Sequence, residues 1–284
     1  RYFRLTDIIA FQGERGANSE LACKRAFPNM ETLPSHTFED VFENVIKGKA
    51  NYAMIPIENS VAGRVADIHH LLPESGLFIT AEYFQPVNHC LLAKRNISIN
   101  DIDIVYSHIQ ALSQCRETLR SMKIQPEVYA DTAGAARKVA EGKSNRVAAI
   151  ASEFAAEIYG LDILKKNIED ETHNTTRFLL LSKEQKRPAL DSGPAITTFV
   201  FQVRNVAAAL YKAMGGFSTN GINMTKLESY QLEGSFRATQ FYADIEGHIE
   251  SKPVSMAFEE LSFFSSKVTV LGVYPANKKR NIIY

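Results

Sequence analysis

The chain carries, at Asn174-Thr175-Thr176-Arg177-Phe178, a polar segment that runs straight into the apolar residues Leu179-Leu180-Leu181. This order predicts a buried strand of an α/β sheet, and such sheets bind ligands beside the ends of their strands. Thr176 offers a hydroxyl group that donates and accepts hydrogen bonds, and Arg177 offers a forked cation suited to a carboxylate. We therefore expect both side chains at a ligand-binding cleft. The alternative is a strand-entry threonine followed by a surface arginine.

Length and composition indicate a two-domain protein that binds a small molecule. A chain of 284 residues exceeds the usual size of one domain. Lys+Arg 32 balance Asp+Glu 32, which gives no electrostatic preference for nucleic acid or a membrane. Cys23, Cys90 and Cys115 are too widely spaced for a disulfide framework, so we expect a reducing compartment. No signal-peptide core follows Arg1-Tyr2-Phe3-Arg4, and we expect a cytoplasmic protein.

A glycine-bearing loop follows the first predicted strand, Ile8-Ile9-Ala10-Phe11. The loop, Gly13-Glu14-Arg15-Gly16-Ala17-Asn18-Ser19-Glu20, opens a helix that is expected to reach Phe27. Asn18 or Ser19 is expected to cap this helix, whose N-terminus suits a carboxylate better than a phosphate. The glycine spacing fits neither a dinucleotide-binding fingerprint nor a P-loop. A plain strand-turn-helix is the alternative interpretation.

A second cluster of polar residues ends the next strand. A helix from about Phe38 to Lys47, with Thr37 and Asp40 in capping-box spacing, precedes a strand over residues 52–56. The apolar face of that helix is predicted to contain Phe38, Val41, Phe42, Val45 and Ile46.

The strand over residues 52–56 leads into Glu58, Asn59 and Ser60. Glu58 is a candidate for proton transfer, with a pKa raised by burial, and Asn59 and Ser60 are candidates to bind substrate oxygen atoms. A surface turn is the alternative.

The following region alternates strands with helices and predicts a largely parallel sheet. The expected elements are strands at 77–84, 89–93, 104–106, 127–129 and 147–150, with helices from Ala111 and over 133–141. Polar residues recur at the strand exits as Ser107-His108, Gln114 and Asp131-Thr132. We expect them to face the same cleft as Thr176, between two lobes. The seven histidines lack metal-ligand spacing, so we expect them to be hydrogen-bonded or exposed rather than to bind a metal.

A charged segment with Pro and Gly, residues 184–194, is predicted to be a linker. The order beyond it is that of a ferredoxin-like domain. The expected elements are strand Ile196–Val203, helix Ala207–Phe217, strand Met224–Gln231, strand Arg237–Glu246, helix Val254–Phe264 and strand Val268–Tyr274. The basic tail that begins Asn277-Lys278-Lys279-Arg280 is expected to be solvated.

Over nearly its whole length the chain resembles the prephenate dehydratase family, in which a catalytic region precedes a C-terminal ACT regulatory domain. The resemblance rests on six segments in family order: Gly13-x-x-Gly16-Ala17-Asn18-Ser19-Glu20, Pro56-Ile57-Glu58-Asn59-Ser60, His89-Cys90-Leu91-Leu92, Ser107-His108-x-Gln110-x-x-x-Gln114-Cys115, Asp131-Thr132-Ala133 and Asn174-x-Thr176-Arg177-Phe178. The family frequently has proline at the positions of Arg15 and Ile109, so those loops are expected to differ in stiffness.

The resemblance implies an α/β catalytic region with the two lobes of a type 2 periplasmic binding protein, and an α+β ferredoxin-like βαββαβ ACT domain. The catalytic region is expected over residues 1–183, with lobes of roughly 1–85 plus 160–183 and of 86–159. The linker then covers 184–194, the ACT domain 195–276 and the tail 277–284.

The reaction implied by the resemblance is the loss of water and carbon dioxide from prephenate to give phenylpyruvate, with no cofactor and no metal. Thr176 is implied to be essential, and we expect it to donate a hydrogen bond in a relay fed by Glu58 or water. The other catalytic candidates are Glu58, Asn59, Ser107, Gln114 and Asp131. The substrate-binding candidates are Ala17, Asn18, Ser19, Ser60, Thr132 and Arg177. Arg177 either clamps a substrate carboxylate or braces the cleft. Arogenate is an alternative substrate, and a non-catalytic two-lobed binding protein is the alternative function.

The same resemblance implies control by phenylalanine, bound between paired ACT domains of a homodimer or homotetramer. The effector-binding candidates are Ala208, Ala209, Leu210, Asn220, Asn223, Met224, Glu228 and Ser229. The chain has Tyr230-Gln231 where the family usually has Arg-Pro. An ACT domain that only dimerises is therefore the alternative.

Overall fold

A computed structural model describes residues 7–171, 173–204, 206–231 and 238–280. The chain divides into two compact units, the first made of residues 1–65 and 83–178 and the second of residues 66–82 and 179–284. Among the described helices, none combines the length and the apolar character needed to cross a membrane.

The described part of the chain contains fifteen strands and nine α-helices. The first thirteen elements are β1 (Ile8–Gln12), α1 (Asn18–Ala26), β2 (Glu31–Ser35), α2 (Phe38–Ile46), β3 (Tyr52–Asn59), β4 (Gly63–Arg64), α3 (Ala66–Glu74), β5 (Phe78–Pro86), β6 (Cys90–Ala93), β7 (Ile104–Ser107), α4 (Ile109–Gln114), α5 (Arg116–Met122) and β8 (Gln125–Val128). The remaining eleven are α6 (Thr132–Glu141), β9 (Val147–Ala151), α7 (Glu153–Tyr159), β10 (Asp162–Lys165), β11 (Thr175–Ser182), β12 (Ala195–Val203), α8 (Ala209–Thr219), β13 (Met224–Gln231), β14 (Ala238–Glu246), α9 (Lys252–Phe264) and β15 (Ser265–Pro275).

The first lobe of the first unit is built on the strand order β11-β3-β1-β2. Strand β1 is parallel to both β2 and β3, and β4 folds back antiparallel on the end of β3. The predicted capping box at the start of α2 is confirmed, since Thr37 and Asp40 exchange side-chain and backbone hydrogen bonds. The apolar face of α2 is narrower than expected. Val41, Phe42 and Val45 are buried, whereas Ile46 at the end of the helix is 42% exposed.

The second lobe of the first unit is a five-stranded sheet with the order β10-β6-β9-β7-β8. Its strands β8, β7 and β9 are parallel, but β6 is antiparallel to β9 and to β10. The expectation of a largely parallel sheet is therefore wrong at this edge. The division expected for the lobes placed residues from 160 onward in the first lobe, whereas β10 (162–165) pairs with β6 in the second sheet.

The second unit has the ferredoxin-like strand order β13-β14-β12-β15 that the sequence predicts, with β5 paired to β15. The expected start of β14 at Arg237 lies outside the described residues. The core between this sheet and its two helices is aromatic, with Phe199 stacked on Phe217 and edge-on to Phe258. Gly272 is required where β15 meets β5, because a Cβ atom there would lie 2.4 Å from the carbonyl oxygen of Ile79.

Of the basic residues after β15, Lys278 and Lys279 are exposed as expected, but Arg280 is buried, contrary to expectation. The Arg280 side chain is 5% exposed, and its Nε and Nη2 atoms lie 3.0 and 2.5 Å from the carboxylate oxygens of Glu82, whose side chain is 0% exposed. The backbone N–H of Asn277 donates to the same carboxylate at 3.0 Å. Lys278 and Lys279 carry the basic pattern that suggested a solvated end, but the charge of Arg280 is used inside the second unit.

Candidate active site

Three polar side chains converge where β3 and β11 lie side by side. Asn59 Nδ2 donates to Thr176 Oγ1 at 2.9 Å and to Asn174 Oδ1 at 2.8 Å. Ser60 links the same segments, since its hydroxyl donates to the carbonyl of His173 at 2.6 Å and accepts from the N–H of Thr175 at 2.9 Å. The structure therefore brings Asn59, Ser60 and Thr176 together as the sequence predicts.

The orientation of the Asn59 amide is fixed by the turn that follows it. The backbone N–H groups of Val61 and Ala62 donate to Asn59 Oδ1 at 3.0 and 2.8 Å, and a backbone N–H can only donate. The NH₂ group must therefore face Thr176 and Asn174. Because Asn59 donates to the Thr176 oxygen, the hydroxyl hydrogen of Thr176 is left to donate to a ligand.

Two residues that the sequence analysis did not select continue this network. Asn174 Nδ2 donates to Gln114 Oε1 at 2.9 Å, and His89 Nε2 lies 2.8 Å from the same oxygen. Asn174 was considered only as part of a motif, and His89 was expected to be hydrogen-bonded or exposed rather than to bind a metal. Both residues begin segments shared with the family, and each stands just before an apolar strand. A polar residue in that position could have been selected as a site candidate. Gln114 is thus placed in the site with Thr176, as predicted.

Arg177 and Glu58 form a buried ion pair beside this network. Arg177 Nη1 lies 2.9 Å from Glu58 Oε1, and the two side chains are 2% and 22% exposed. A buried arginine at this distance favours the ionised carboxylate of Glu58, which opposes the effect of burial. Because Arg177 is the more deeply buried of the two and is already paired with Glu58, the arrangement favours the interpretation of Arg177 as a brace.

Ser107, Asp131 and Thr132 have structural partners of their own. The fully buried hydroxyl of Ser107 donates to the carbonyl of Ile150 at 2.7 Å, so its hydrogen is used inside the second sheet. Asp131 caps α6 by accepting from the N–H of Gly134 at 2.7 Å, and Thr132 is the first residue of that helix. These contacts hold the edge of the second lobe in shape.

The glycine-bearing loop after β1 differs from expectation in its cap. The N-cap of α1 is Ala17, which makes no side-chain cap bond, and neither Asn18 nor Ser19 acts as the cap. The buried carboxylate of Glu20 replaces them, accepting from the N–H of Gly16 at 2.7 Å and from the hydroxyl of Thr32 at 2.8 Å. A capping residue was predicted from type alone, whereas Glu20 reaches back to the loop from the first turn.

This loop also joins the two lobes of the first unit. Glu14 accepts from Arg137 Nε and Nη2 at 2.7 and 2.9 Å, and Ser152 Oγ donates to the carbonyl of Gly16 at 3.1 Å. The hydrogen bond from Arg137 is the main cause of a Glu14 pKa that lies below its usual 4.5. Gly16 has φ +89, and a Cβ atom there would lie 3.1 Å from the Cα atom of Ala155 in α7. The loop therefore packs against helices α6 and α7 of the second lobe.

The effector candidates lie at the start of α8 and along the entry to β13. Ala208 is the N-cap of α8 and has φ 58, the left-handed conformation. Asn220 Nδ2 donates to the carbonyl of Gly216 at 2.7 Å, and Asn223 Nδ2 donates to Glu246 Oε2 at 3.1 Å. Each amide NH₂ group thus makes one bond within the chain. The other candidates on these two elements are Ala209, Leu210, Met224, Glu228 and Ser229.

No arrangement of side chains suited to a metal occurs within residues 7–171, 173–204, 206–231 and 238–280, where no three His, Cys, Asp or Glu converge. The candidate site therefore consists of hydrogen-bonding groups around Thr176 and one buried ion pair.

Comparisons with known proteins agree on one family. A family model described as prephenate dehydratase matches residues 9–186. A bifunctional N-acyl-homoserine lactone acylase/prephenate dehydratase from Komagataeibacter europaeus is 51% identical over 276 residues, covering 96% of this chain and 97% of that protein. An arogenate dehydratase/prephenate dehydratase from Arabidopsis thaliana is 39% identical over 278 residues, covering 95% of this chain and 73% of that protein.

Two solved structures are similar to this chain over nearly its whole length. A quorum-quenching acylase named GqqA has a TM-score of 0.90 and 50% identity, covering 96% of this chain and 99% of that one. A prephenate dehydratase from Arthrobacter aurescens in complex with L-Phe has a TM-score of 0.86 and 28% identity, covering 95% of this chain and 90% of that one.

Proposed function

Because the chain belongs to the prephenate dehydratase family of lyases, we propose that it converts prephenate to phenylpyruvate, water and carbon dioxide in phenylalanine biosynthesis. The observation that carries the proposal is the Thr176 hydroxyl, whose oxygen accepts from Asn59 at 2.9 Å and whose hydrogen is left for a ligand. The catalytic region is residues 1–183, the linker 184–194, and the regulatory ACT domain 195–276.

The reaction requires one proton and the loss of two groups from the ring. The electron pair of the bond to the ring carboxylate becomes part of the aromatic π system, carbon dioxide departs, and the ring C–O bond breaks toward oxygen. Thr176 donates a hydrogen bond to that departing oxygen, which takes a proton to leave as water. Because the Glu58 carboxylate is paired with Arg177 at 2.9 Å, we propose that water rather than Glu58 feeds the proton to this oxygen. Asn59 supports the negative charge that the Thr176 oxygen gains when its hydrogen is shared.

Arg177 neutralises Glu58 next to the binding position of a substrate that carries two carboxylates. Without that cation the Glu58 carboxylate would repel the substrate, because like charges within a few ångströms oppose each other strongly in a partly buried site. Gln114 orients the substrate, and Ser60, whose hydroxyl hydrogen is donated to the carbonyl of His173, holds the segment before Thr176 in place. Ala17, Asn18, Ser19 and Thr132 lie at the edges of the two lobes. Ser107 and Asp131 support the second lobe through the contacts described above.

A product assay tests this function against the alternatives. The purified protein is incubated at neutral pH with prephenate and, separately, with arogenate, and the products phenylpyruvate and phenylalanine are measured. We expect phenylpyruvate from prephenate at a rate well above the uncatalysed reaction. Product from arogenate alone would make the chain an arogenate dehydratase. Binding of either compound without product would favour the two-lobed binding protein.

An acylase activity is named both for the bifunctional acylase/prephenate dehydratase that is 51% identical and for the solved GqqA structure that is 50% identical. Amide hydrolysis by a serine or threonine needs a hydroxyl bonded to a general base. Among the candidate hydroxyls, those of Ser60 and Ser107 donate to backbone carbonyls, at 2.6 and 2.7 Å, and that of Thr176 accepts from the Asn59 amide at 2.9 Å. Neither a carbonyl nor an amide is a base of that kind. We therefore propose dehydration as the main activity, and incubation with an N-acyl-homoserine lactone measures the acylase activity separately.

We also propose feedback inhibition by phenylalanine bound at the ACT domain of a homodimer or homotetramer. The support is the similarity to the prephenate dehydratase solved in complex with L-Phe. The amide groups of Asn220 and Asn223 suit the charged ends of an amino acid, because an amide offers both an acceptor oxygen and an NH₂ donor. Coupling of about 1–3 kcal/mol between the effector site and the cleft would suffice for inhibition. By reciprocity, a substrate analogue must weaken phenylalanine binding in calorimetry by the factor by which phenylalanine weakens binding of the analogue.

The compartment is proposed to be the cytoplasm. Cys23, Cys90 and Cys115 are free and buried, as suits a reducing environment. Burial raises the pKa of all three thiols, which disfavours the reactive thiolate form. We therefore assign these cysteines a packing role.

A further inference from the structure

The hydrogen bonds around Thr176 form one chain whose direction is fixed from one end to the other. The backbone N–H groups of Val61 and Ala62 set the Asn59 amide, and its Nδ2 then donates to Asn174 Oδ1. Asn174 must therefore turn its NH₂ group toward Gln114, which presents Oε1 at 2.9 Å. An amide oxygen only accepts, so every further atom that contacts Gln114 Oε1 must be a donor.

We propose that His89 is a positioning residue of the active site, which fixes the orientation of Gln114 by donating from Nε2 to its Oε1. The two atoms are 2.8 Å apart, and the sense of the network requires the hydrogen to be on Nε2 of the imidazole. With both His89 and Asn174 donating to Oε1, the Gln114 NH₂ group is left to donate to the substrate. The proposal rests on the proposed dehydratase function.

The surroundings of His89 hold the imidazole in this single state. Its side chain is buried, and its backbone N–H and carbonyl are bonded to Glu169 Oε2 at 2.8 Å and to the N–H of Ile168 at 3.0 Å. The other ring nitrogen, Nδ1, is buried and has no hydrogen-bond partner within the described ranges. A second proton on Nδ1 would thus be buried without an acceptor. Desolvation accordingly lowers the pKa of His89 below 6.5.

Gln114 needs such an anchor because of where it lies. It is the last residue of the short helix α4, its side chain is half-buried, and rotation of its amide by 180° exchanges donor and acceptor. Turned the wrong way, the amide would present an oxygen to a substrate that already carries negative charge. The NH₂ group would then face two other donors, His89 Nε2 and Asn174 Nδ2. Two donors on one oxygen are therefore what selects the productive orientation.

A double-mutant cycle tests the role of His89. The variants are His89→Leu, which removes the donor, and His89→Gln, whose Nε2 occupies a position similar to that of the imidazole Nε2, each alone and in combination with Gln114→Ala. We expect His89→Leu to lower kcat/KM by about 10²-fold, the size of effect typical of a misplaced substrate contact. His89→Gln should restore most of the activity. In the Gln114→Ala background, His89→Leu should change kcat/KM by no more than roughly twofold.

The control is His69→Leu, because His69 is an equally buried histidine, packed edge-on against Tyr242 in the second unit. It measures the cost of removing a buried imidazole that belongs to the other unit. Equal losses for His89→Leu with and without Gln114→Ala would overturn the positioning role, and so would a His89→Gln variant as inactive as His89→Leu. A wild-type protein that forms no phenylpyruvate would instead overturn the proposed function, so the two failures are distinguishable.

Discussion

Thr176 owes its chemical role to a neighbour rather than to its own acidity. A threonine hydroxyl is a poor acid, and an isolated one is as ready to accept as to donate. Donation from Asn59 Nδ2 at 2.9 Å removes that ambiguity, since the hydrogen of Thr176 must then point elsewhere. Gln114 is oriented in a similar way, because Asn174 and His89 both contact its Oε1 and leave its NH₂ group to donate. The amides of the site thus set the direction of donation into the cleft.

Replacement of Asn59 by aspartate tests this directional argument. In Asn59→Asp the carboxylate still accepts from Val61 and Ala62, but it accepts from Thr176 as well and turns the hydroxyl hydrogen away from the substrate. We expect kcat to fall by about 10²- to 10³-fold, as for loss of one preorganised donor. Steady-state kinetics and the melting temperature are measured together, with Asn51→Asp, which keeps its acceptor bond to the N–H of Ile8, as the control. Normal turnover of Asn59→Asp would contradict the argument.

At the level of elements, local signals and the meeting of β3 with β11 were predicted, whereas most other contacts between elements were not. The capping box of Thr37 and Asp40 lies within four residues, so the sequence alone identifies it. Asn18 was predicted as a cap from its residue type, but the carboxylate of Glu20 reaches back and takes the N–H of Gly16. The antiparallel pairing of β6 depends on how the chain returns to the second sheet, which no periodicity records. His89 gains its role only when β6 brings it next to Gln114.

The link between the loop after β1 and helix α6 gives a pH-dependent contribution to stability. The hydrogen bond from Arg137 lowers the pKa of Glu14 below 4.5 in the folded protein. The resulting stabilisation is complete above pH 4.5, the ordinary value, and is lost as the pH falls through the lower folded value. At pH 7 we expect the free energy of unfolding, measured with a chemical denaturant, to be larger for wild type than for Glu14→Gln. This difference should shrink below pH 4.5. A difference that grows on acidification would contradict the assignment.

At the level of the whole molecule, the sequence predicts the two folds but not the burial of Arg280 after β15. The order of elements in the second unit is visible in the strand and helix patterns, because each pattern is local. The burial of Arg280 is invisible to the same reasoning, because its partner Glu82 is 198 residues away in the chain. The prediction of a solvated basic segment is confirmed for Lys278 and Lys279, which are exposed, and is wrong for Arg280.

Removal of the Arg280 charge should destabilise the second unit. In Arg280→Met the carboxylate of Glu82 stays buried without its main partner, and breaking a buried pair in this way costs about 3–5 kcal/mol. The loss is measured by urea unfolding. Arg187→Met is the control, since Arg187 and Glu250 form an exposed pair at 3.4 Å whose loss should cost no more than about 1 kcal/mol. Equal effects of the two substitutions would show that Arg280 contributes as a surface residue.

The central claim is that the Thr176 hydroxyl handles the oxygen that leaves the ring, and turnover of prephenate by three variants measures it most directly. Thr176→Ala removes the hydroxyl, Thr176→Ser keeps it, and Thr175→Ala alters the preceding residue of β11, whose backbone rather than side chain bonds to Ser60. We predict that Thr176→Ala lowers kcat by about 10²-fold or more at an unchanged melting temperature, while Thr176→Ser and Thr175→Ala retain most of the wild-type rate. Near-normal formation of phenylpyruvate by Thr176→Ala would contradict the account.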